Sequence, residues 1–210
     1  MIKVILFAYD SIDDLYANTY VLIDDDNNCV VIDPSKPNQS IINYIEKNNL
    51  NLKAVLLTHG HIDHMRGADV IVEHFNTPLF IGFNDYSLLK DPRLNCSTFF
   101  FKEEIVQSKA ETLADGQILR LLNEDCLVIE TPYHTAGSVC YYFRKSGILF
   151  SGDFILEHTI GRSDLPTAVP KKLHESMSKI VSLPDETIVY SGHGRKSTLK
   201  EERCLNTFVK

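Results

Sequence analysis

Thr58-His59-Gly60-His61-Ile62-Asp63-His64 places three imidazoles and a carboxylate within seven residues, in a chain with eight histidines among 210 residues. At that composition an H-x-H-x-D-H arrangement arises by chance with a probability on the order of 10⁻³. Imidazole nitrogens and carboxylate oxygens are donors suited to Zn²⁺ and related divalent ions. His59 and His61 alternate, so extended chain points both the same way. Asp63 and His64 follow where the chain turns toward a helix. The chemistry this loop could do is that of a bound cation, which acidifies water and polarises a substrate oxygen.

Three more residues occupy the same kind of place. His134 follows the apolar run Leu127-Val128-Ile129, Asp153 follows Ile148-Leu149-Phe150, and His193 follows Ile188-Val189-Tyr190. The histidine-rich loop itself follows Ala54-Val55-Leu56-Leu57. Ligands in α/β proteins gather outside the carboxyl ends of strands, so these side chains are expected on one rim of a strand assembly. Glycines beside each of them let the backbone turn sharply. His74, His158 and His174 fall on a helix, in a loop and on a polar helix face, and read as ordinary surface or satisfied residues.

The elements that must hold this rim can be read from the pattern. Met1–Phe7 reads as a first strand, followed at once by Asp10, Asp13 and Asp14. Tyr20–Asp24 and Cys29–Asp33 flank a turn-forming Asp25-Asp26-Asn27-Asn28 cluster and read as a hairpin. Ser40 is a candidate helix cap, with Ile41, Ile42 and Ile45 on one face of a helix reaching Asn49. Strands are expected at Lys53–Leu57 and Leu79–Ile81, a polar loop over Thr58–Met65, and a helix over Gly67–Phe75. Asn84–Gly116, with Pro92 and Phe99-Phe100-Phe101, reads as an irregular excursion with one short helix near Asp85–Leu89. A β block follows at Ile118–Leu122, Cys126–Glu130, Val139–Phe143 and Ile148–Ser151. The remainder reads as a long loop (Phe154–Val169), a helix (Lys171–Leu183), a strand (Ile188–Ser191) and a closing helix (Leu199–Phe208). Strands interleaved with helices at both ends suggest two sheets inside and helices outside, in one domain spanning 1–210.

Composition bounds the function. Hydrophobic residues are 44% and charged residues 23%, ordinary for a globular chain. The net charge of −7 disfavours a nucleic-acid coat, which needs a basic face. No window is long and apolar enough for a membrane span, and the N-terminal run lacks the pattern of a signal peptide. Five scattered cysteines without C-x-x-C fit free thiols in a reducing compartment, so a cytoplasmic location is expected.

These motifs resemble the metallo-β-lactamase-fold hydrolases, and within them the short glyoxalase II-like proteins. The resemblance spans nearly the whole chain, from Val31-Ile32-Asp33-Pro34 through the H-x-H-x-D-H loop and Gly67 to Ser151-Gly152-Asp153, Gly161-Arg162-Ser163-Asp164 and Ser191-Gly192-His193-Gly194. It implies an α/β protein built as a four-layer αββα sandwich with a binuclear metal site at one edge. By motif, His59, His61 and His134 would hold one ion, Asp63, His64 and His193 a second, and Asp153 would bridge them. Seven ligands exceed one tetrahedral ion, so two divalent ions are expected, with zinc first and iron or manganese as alternatives. Asp153 stands where the common zinc β-lactamases carry cysteine, which argues against a β-lactam. Only Thr198–Lys210 follows the last ligand, so the glutathione-holding helical domain of full-length glyoxalase II is not expected.

The chemistry expected of such a centre is thioester hydrolysis by a metal-bridging hydroxide on a small anionic substrate of the hydroxyacylglutathione type. Asp63 would orient the water or accept its proton. Arg162 would bind a substrate carboxylate through its guanidinium fork. Other readings are a mononuclear-iron persulfide dioxygenase, which carries a segment like Gly161-Arg162-Ser163-Asp164, an RNA phosphodiesterase of the same fold, and a non-catalytic metal-dependent binding protein. Small molecules rather than nucleic acid or membrane are the expected partners.

Overall fold

A computed structural model of the chain describes residues 2–8, 16–37, 39–100 and 102–210. Met1, Asp10, Asp13, Asp14 and Phe101 lie outside the described residues. The first sheet runs in the order β1 (Lys3–Phe7), β2 (Thr19–Ile23), β3 (Asn28–Ile32), β4 (Asn51–Leu56), β5 (Leu79–Gly82) and β6 (Ala110–Leu113). Its first three strands are antiparallel and the rest parallel. The β2–β3 turn forms where expected: Asp24 Oδ1 accepts from the Asp26 and Asn28 amides, both at 2.9 Å, and Asn27 takes a left-handed φ of 61°. Parallel neighbours need crossovers. The first two crossovers carry α1 (Ser40–Lys47) and, beyond the histidine loop, α2 (Ile62–Met65) and α3 (Ala68–Phe75). The third carries α4 (Ser97–Phe100).

The second sheet contains β7 (Ile118–Leu119), β8 (Cys126–Glu130), β9 (Val139–Phe143), β10 (Ile148–Gly152), β11 (Ile188–Ser191) and β12 (Ser197–Thr198). It is ordered β12-β11-β10-β9-β8-β7 and is antiparallel except at β10–β11. The helices α5 (Leu173–Ile180) and α6 (Leu199–Leu205) complete the chain.

The central strands β2, β3, β9 and β10 are apolar on both faces because both faces are covered. In the first sheet, Val21, Ile23, Val31 and Val55 pack outward with Ile41, Ile42 and Ile45 of α1 and Ile71 of α3. The alternate residues Tyr20, Leu22, Val30, Ile32 and Leu56 meet Val128, Tyr141, Phe143 and Phe150 of the second sheet. On the far side, Tyr142, Leu149 and Val189 pack with Met177 and Ile180 of α5 and Leu199 of α6. The period of two along each strand thus builds helix, sheet, sheet and helix as four layers.

Three hydrogen bonds fasten the sheets together near the rim that carries the histidines. Tyr20 Oη donates to Ser191 O (2.7 Å), Tyr141 Oη donates to Leu57 O (2.8 Å), and Val139 N donates to Thr58 O (2.8 Å).

Some local expectations are corrected. The Thr58–Met65 loop ends in the short helix α2. Gln39, not Ser40, occupies the N-cap of α1, without a side-chain cap bond. The 84–116 excursion is more regular than its composition suggests: a 3₁₀ turn spans Phe83–Leu89, then α4, then β6, which pairs with β5 and so takes its strand character from its partner. β7 stops at Leu119, α5 begins at Leu173 after a 3₁₀ turn, and α6 stops at Leu205. Thr198 caps α6 in a reciprocal capping box with Glu201. All five cysteines are free thiols. Among the described residues, no helix is long and apolar enough to cross a membrane.

Candidate metal centre

The chain folds back so that the residue runs after β4, β8, β10 and β11 end together. His59, His61 and His134 bring one nitrogen each into a common group, as do the donor atoms of His59, His64 and Asp153 and those of Asp63, His64 and His193; within each group these atoms lie within 4.8 Å of one another. All seven residues singled out along the sequence as donors therefore share one cluster. His59, His61, His64 and His134 are fully buried, whereas His193 stands at the opening.

Backbone and side-chain partners set which nitrogen of each ring faces inward. Asp33, just past β3, accepts from the Thr58 amide (2.7 Å), the Thr58 hydroxyl (2.6 Å) and His64 Nδ1 (2.8 Å). Thr58 Oγ1, its proton committed to Asp33, accepts from His59 Nδ1 at 3.2 Å. His134 Nδ1 donates to the Arg162 carbonyl at 2.6 Å. With these outer nitrogens protonated, Nε2 of His59 and His134 carries its lone pair into the cluster, the tautomer a metal ligand needs. Nε2 of His64 also faces the cluster; burial would lower this ring's pKa, but the carboxylates of Asp33, Asp153 and Asp63 outweigh it and raise the ring well above the usual histidine range, so a cation there would take the place of its proton. His134 Nε2 and His61 Nδ1 point at one another across 2.9 Å. Asp153 reaches both halves, with Oδ1 3.3 Å from His64 Nε2 and Oδ2 3.5 Å from His134 Nε2 and 3.8 Å from His193 Nε2.

Glycine is required at two points of this rim. A Cβ on Gly192 would collide with Asp153 Oδ1 and His64 Cε1, and Gly152, at a φ of 50°, lies against Thr58.

The electrostatics suit cations. Burial and the neighbouring imidazoles of His64, His61 and His134 hold His59 well below the usual histidine range. Burial, with His134 beside it, depresses His61 to about 3. Both rings are neutral at physiological pH, as a metal ligand must be. Burial would raise the carboxyls of Asp63 and Asp153, but adjacent imidazoles outweigh it and keep both ionised. His64 Nε2 and Asp153 Oδ1 are close but lack hydrogen-bond geometry, and His59 Nε2 and His61 Nε2 are buried without a partner as well. Buried polar atoms are normally paired. Such atoms inside a cage of histidine and aspartate donors fit divalent metal.

A pocket of about 260 Å³ opens above the cluster, walled by Cys96, Phe100, Leu156, Gly161, Arg162 and Leu165. Arg162 is thus at the mouth. Its guanidinium is exposed and forms a fork with Asp164 (Nε–Oδ1 2.6 Å, Nη2–Oδ2 2.7 Å), while its carbonyl positions His134. His74 pairs with Glu46 on the surface at 2.8 Å, and His158 and His174 are exposed, all outside the cluster.

Two further carboxylates, Asp33 and Asp85, support the cluster from outside the seven donors. Asp33 carried the signal of the others, an acidic residue just after an apolar strand. Asp85 carried none. It sits fully buried in the 3₁₀ turn and accepts from Gly60 N (2.8 Å), Gly137 N (2.7 Å) and Thr135 Oγ1 (2.7 Å), which ties the loop of His59 and His61 to the loop of His134.

The metallo-β-lactamase superfamily model matches residues 12–193. The chain belongs to that superfamily. A probable metallo-hydrolase of Bacillus subtilis, YqgX, is 34% identical over 93% of each chain. Hydroxyacylglutathione hydrolase GloC of Haemophilus influenzae is 30% identical over 91% of this chain and 92% of that one. Among solved structures, the BLEG-1 B3 metallo-β-lactamase superposes with a TM-score of 0.90 at 33% identity, covering 100% of this chain and 99% of that one. TTHA1623 in a di-iron-bound form superposes with a TM-score of 0.84 at 29% identity, covering 97% and 98%. The protein is thus a metallo-hydrolase of this superfamily, with the αββα architecture that the motifs implied.

Proposed function

We propose that the protein is a binuclear metal-dependent thioesterase acting on a small anionic thioester of the hydroxyacylglutathione type. The observation that carries this is the seven-residue cage, with its inward lone pairs and buried unpartnered atoms, at the floor of an open pocket. The likeness to GloC supports the substrate class. His59, His61 and His134 would hold one ion, Asp63, His64 and His193 the other, and Asp153 both. Zinc leads as the metal, with iron next because TTHA1623 holds two irons. Bound there, two divalent cations supply a water acidified to hydroxide near neutral pH and a Lewis acid for the carbonyl oxygen.

The chain's own groups do the rest. Asp63 Oδ2, 3.2 Å from His193 Nε2, orients the attacking water and accepts its proton. Asp33 and the Arg162 carbonyl hold the rings of His64 and His134 in register. Water oxygen bonds to the acyl carbon, the carbon–sulfur bond breaks, and a carboxylate and a thiol leave. A thiolate leaves without much help from a general acid, in keeping with a pocket whose walls are mainly apolar. Arg162 binds a carboxylate at the thiol end, in exchange for its fork to Asp164.

Metal quantification on the purified protein, then turnover of lactoylglutathione, a lactone and a phosphodiester, tests the reading. Two equivalents of metal with thioester cleavage are expected; one iron with oxygen uptake on glutathione persulfide would replace it with the dioxygenase. Asp153→Ala should lose metal and activity together, and retention of both would reject the bridge. Arg162→Ala should raise KM, and an unchanged KM would remove that role. Asp153 argues against a β-lactamase of the common zinc class, but the likeness to the BLEG-1 B3 metallo-β-lactamase makes β-lactam hydrolysis the second reading, so a cephalosporin belongs in the same panel.

A further inference from the structure

Cys96 and Phe100 of the pocket wall come from the 84–116 excursion. Asn95, fully buried, takes the Ile62 amide of the metal loop on its carbonyl (2.9 Å), accepts from Ser97 N on Oδ1 (2.9 Å) and donates from Nδ2 to Glu104 O (2.9 Å). Ser97 Oγ adds a bond to Glu104 O at 3.2 Å. This buried polar knot holds α4 in fixed register with His61 and Asp63. From α4, Phe100 faces the pocket while 43% exposed, alongside Phe99 at 61%. Leu156 and Leu165 line the same pocket. Large apolar side chains left exposed at the lip of a site mark a surface that something apolar covers. Apart from the cage itself, Arg162 is the charged residue lining the pocket, and its fork already holds Asp164.

We propose that this pocket selects thioesters with an uncharged acyl group whose carbon chain is seated between Phe100, Leu156 and Leu165, with the substrate's negative charge on the thiol end at the mouth beside Arg162. The inference rests on the thioesterase reading and narrows it: uncharged acyl groups, lactoyl among them, fit better than succinyl, and longer carbon chains fit better than acetyl. A carboxylate on the acyl chain would be desolvated against the apolar wall.

The experiment uses the zinc-loaded protein and N-acetylcysteamine thioesters of acetate, butyrate, hexanoate, lactate and succinate. In parallel, calorimetry follows the binding of the matching amides, in which nitrogen replaces the thioester sulfur. Each buried methylene should raise kcat/KM and amide affinity about two- to fourfold until the pocket is full. Butyryl should exceed succinyl. Phe100→Ala, a substitution of an exposed residue, should lower the hexanoyl-to-acetyl ratio in both measurements. A flat or falling series, a preference for succinyl, or a ratio unmoved by Phe100→Ala overturns the proposal. Amides that tighten with length on a protein that cleaves no thioester would refute the thioesterase reading and leave the apolar pocket standing.

Discussion

Replacing Asp33 with asparagine preserves the shape of the side chain and suits its left-handed backbone (φ 50°), yet it breaks the logic of the cluster. Asp33 receives three donors and offers only acceptors: Thr58 N on Oδ1, and Thr58 Oγ1 and His64 Nδ1 on Oδ2. An asparagine must present an NH₂ to one side, so a buried donor then faces a donor. An unsatisfied buried group costs about 1–3 kcal/mol. Expressed at His64, that is roughly a 5- to 150-fold loss in cation affinity, in line with the 10- to 100-fold typical of lost outer partners of metal ligands. Because Asp33 orients His64 and not His61 or His134, Asp33→Asn should weaken the ion held with Asp63 and His193 first. Competition against a chromophoric chelator, with circular dichroism to verify folding, would show tight stoichiometry falling from two toward one. Two equivalents held at wild-type affinity would refute both the tautomer argument and the pairing of His64 with that ion.

Asp85→Ala leaves three buried donors (Gly60 N, Gly137 N and Thr135 Oγ1) without their carboxylate; urea unfolding should show a loss of roughly 3 kcal/mol or more, and a loss under 1 kcal/mol would contradict the tie between the two loops. Gly192→Ala drives a methyl into Asp153 and His64 and should lower bound metal with little change in secondary structure; normal metal content would show that the rim yields. Chelation should lower the melting temperature, since a ligand at 100 times its Kd stabilises the fold by about 2.7 kcal/mol; an unchanged melting curve would argue against a metal within the folded core. Burial pushes the Asp24 carboxyl up, but bonds from Asn28, Asp26 and Asn123 hold it below its usual value. Its ionisation therefore contributes stability that is present above about pH 4 and lost as pH falls through the lowered pKa. The stability gap between wild type and Asp24→Asn should close on acidification, and a gap independent of pH would refute the linkage.

Much of this protein was readable along one dimension. H-x-H-x-D-H is local, so seven consecutive residues carry its improbability, and each of His134, Asp153 and His193 announces itself by following an apolar strand. The strand pattern itself is physical: β2, β3, β4, β9 and β10 are apolar on both faces, the mark of strands covered on both sides. Where prediction failed, the deciding contacts were remote. β6 owes its strand character to β5, and α4 is held by Asn95, Ser97 and Glu104 around a turn whose composition looks irregular. Asp85 lies 25 residues from Gly60 and 52 from Gly137, the two amides it joins. Arg162 carries two groups: its guanidinium, visible in the sequence, forks with Asp164 at the pocket, and its carbonyl, whose part only the fold reveals, orients His134. Donor identity and the reach of a strand end are properties of short segments and survive in the sequence. Ring tautomers, the apolar wall and the partners of buried carboxylates depend on which distant groups the two sheets bring together, and only the packed structure decides those.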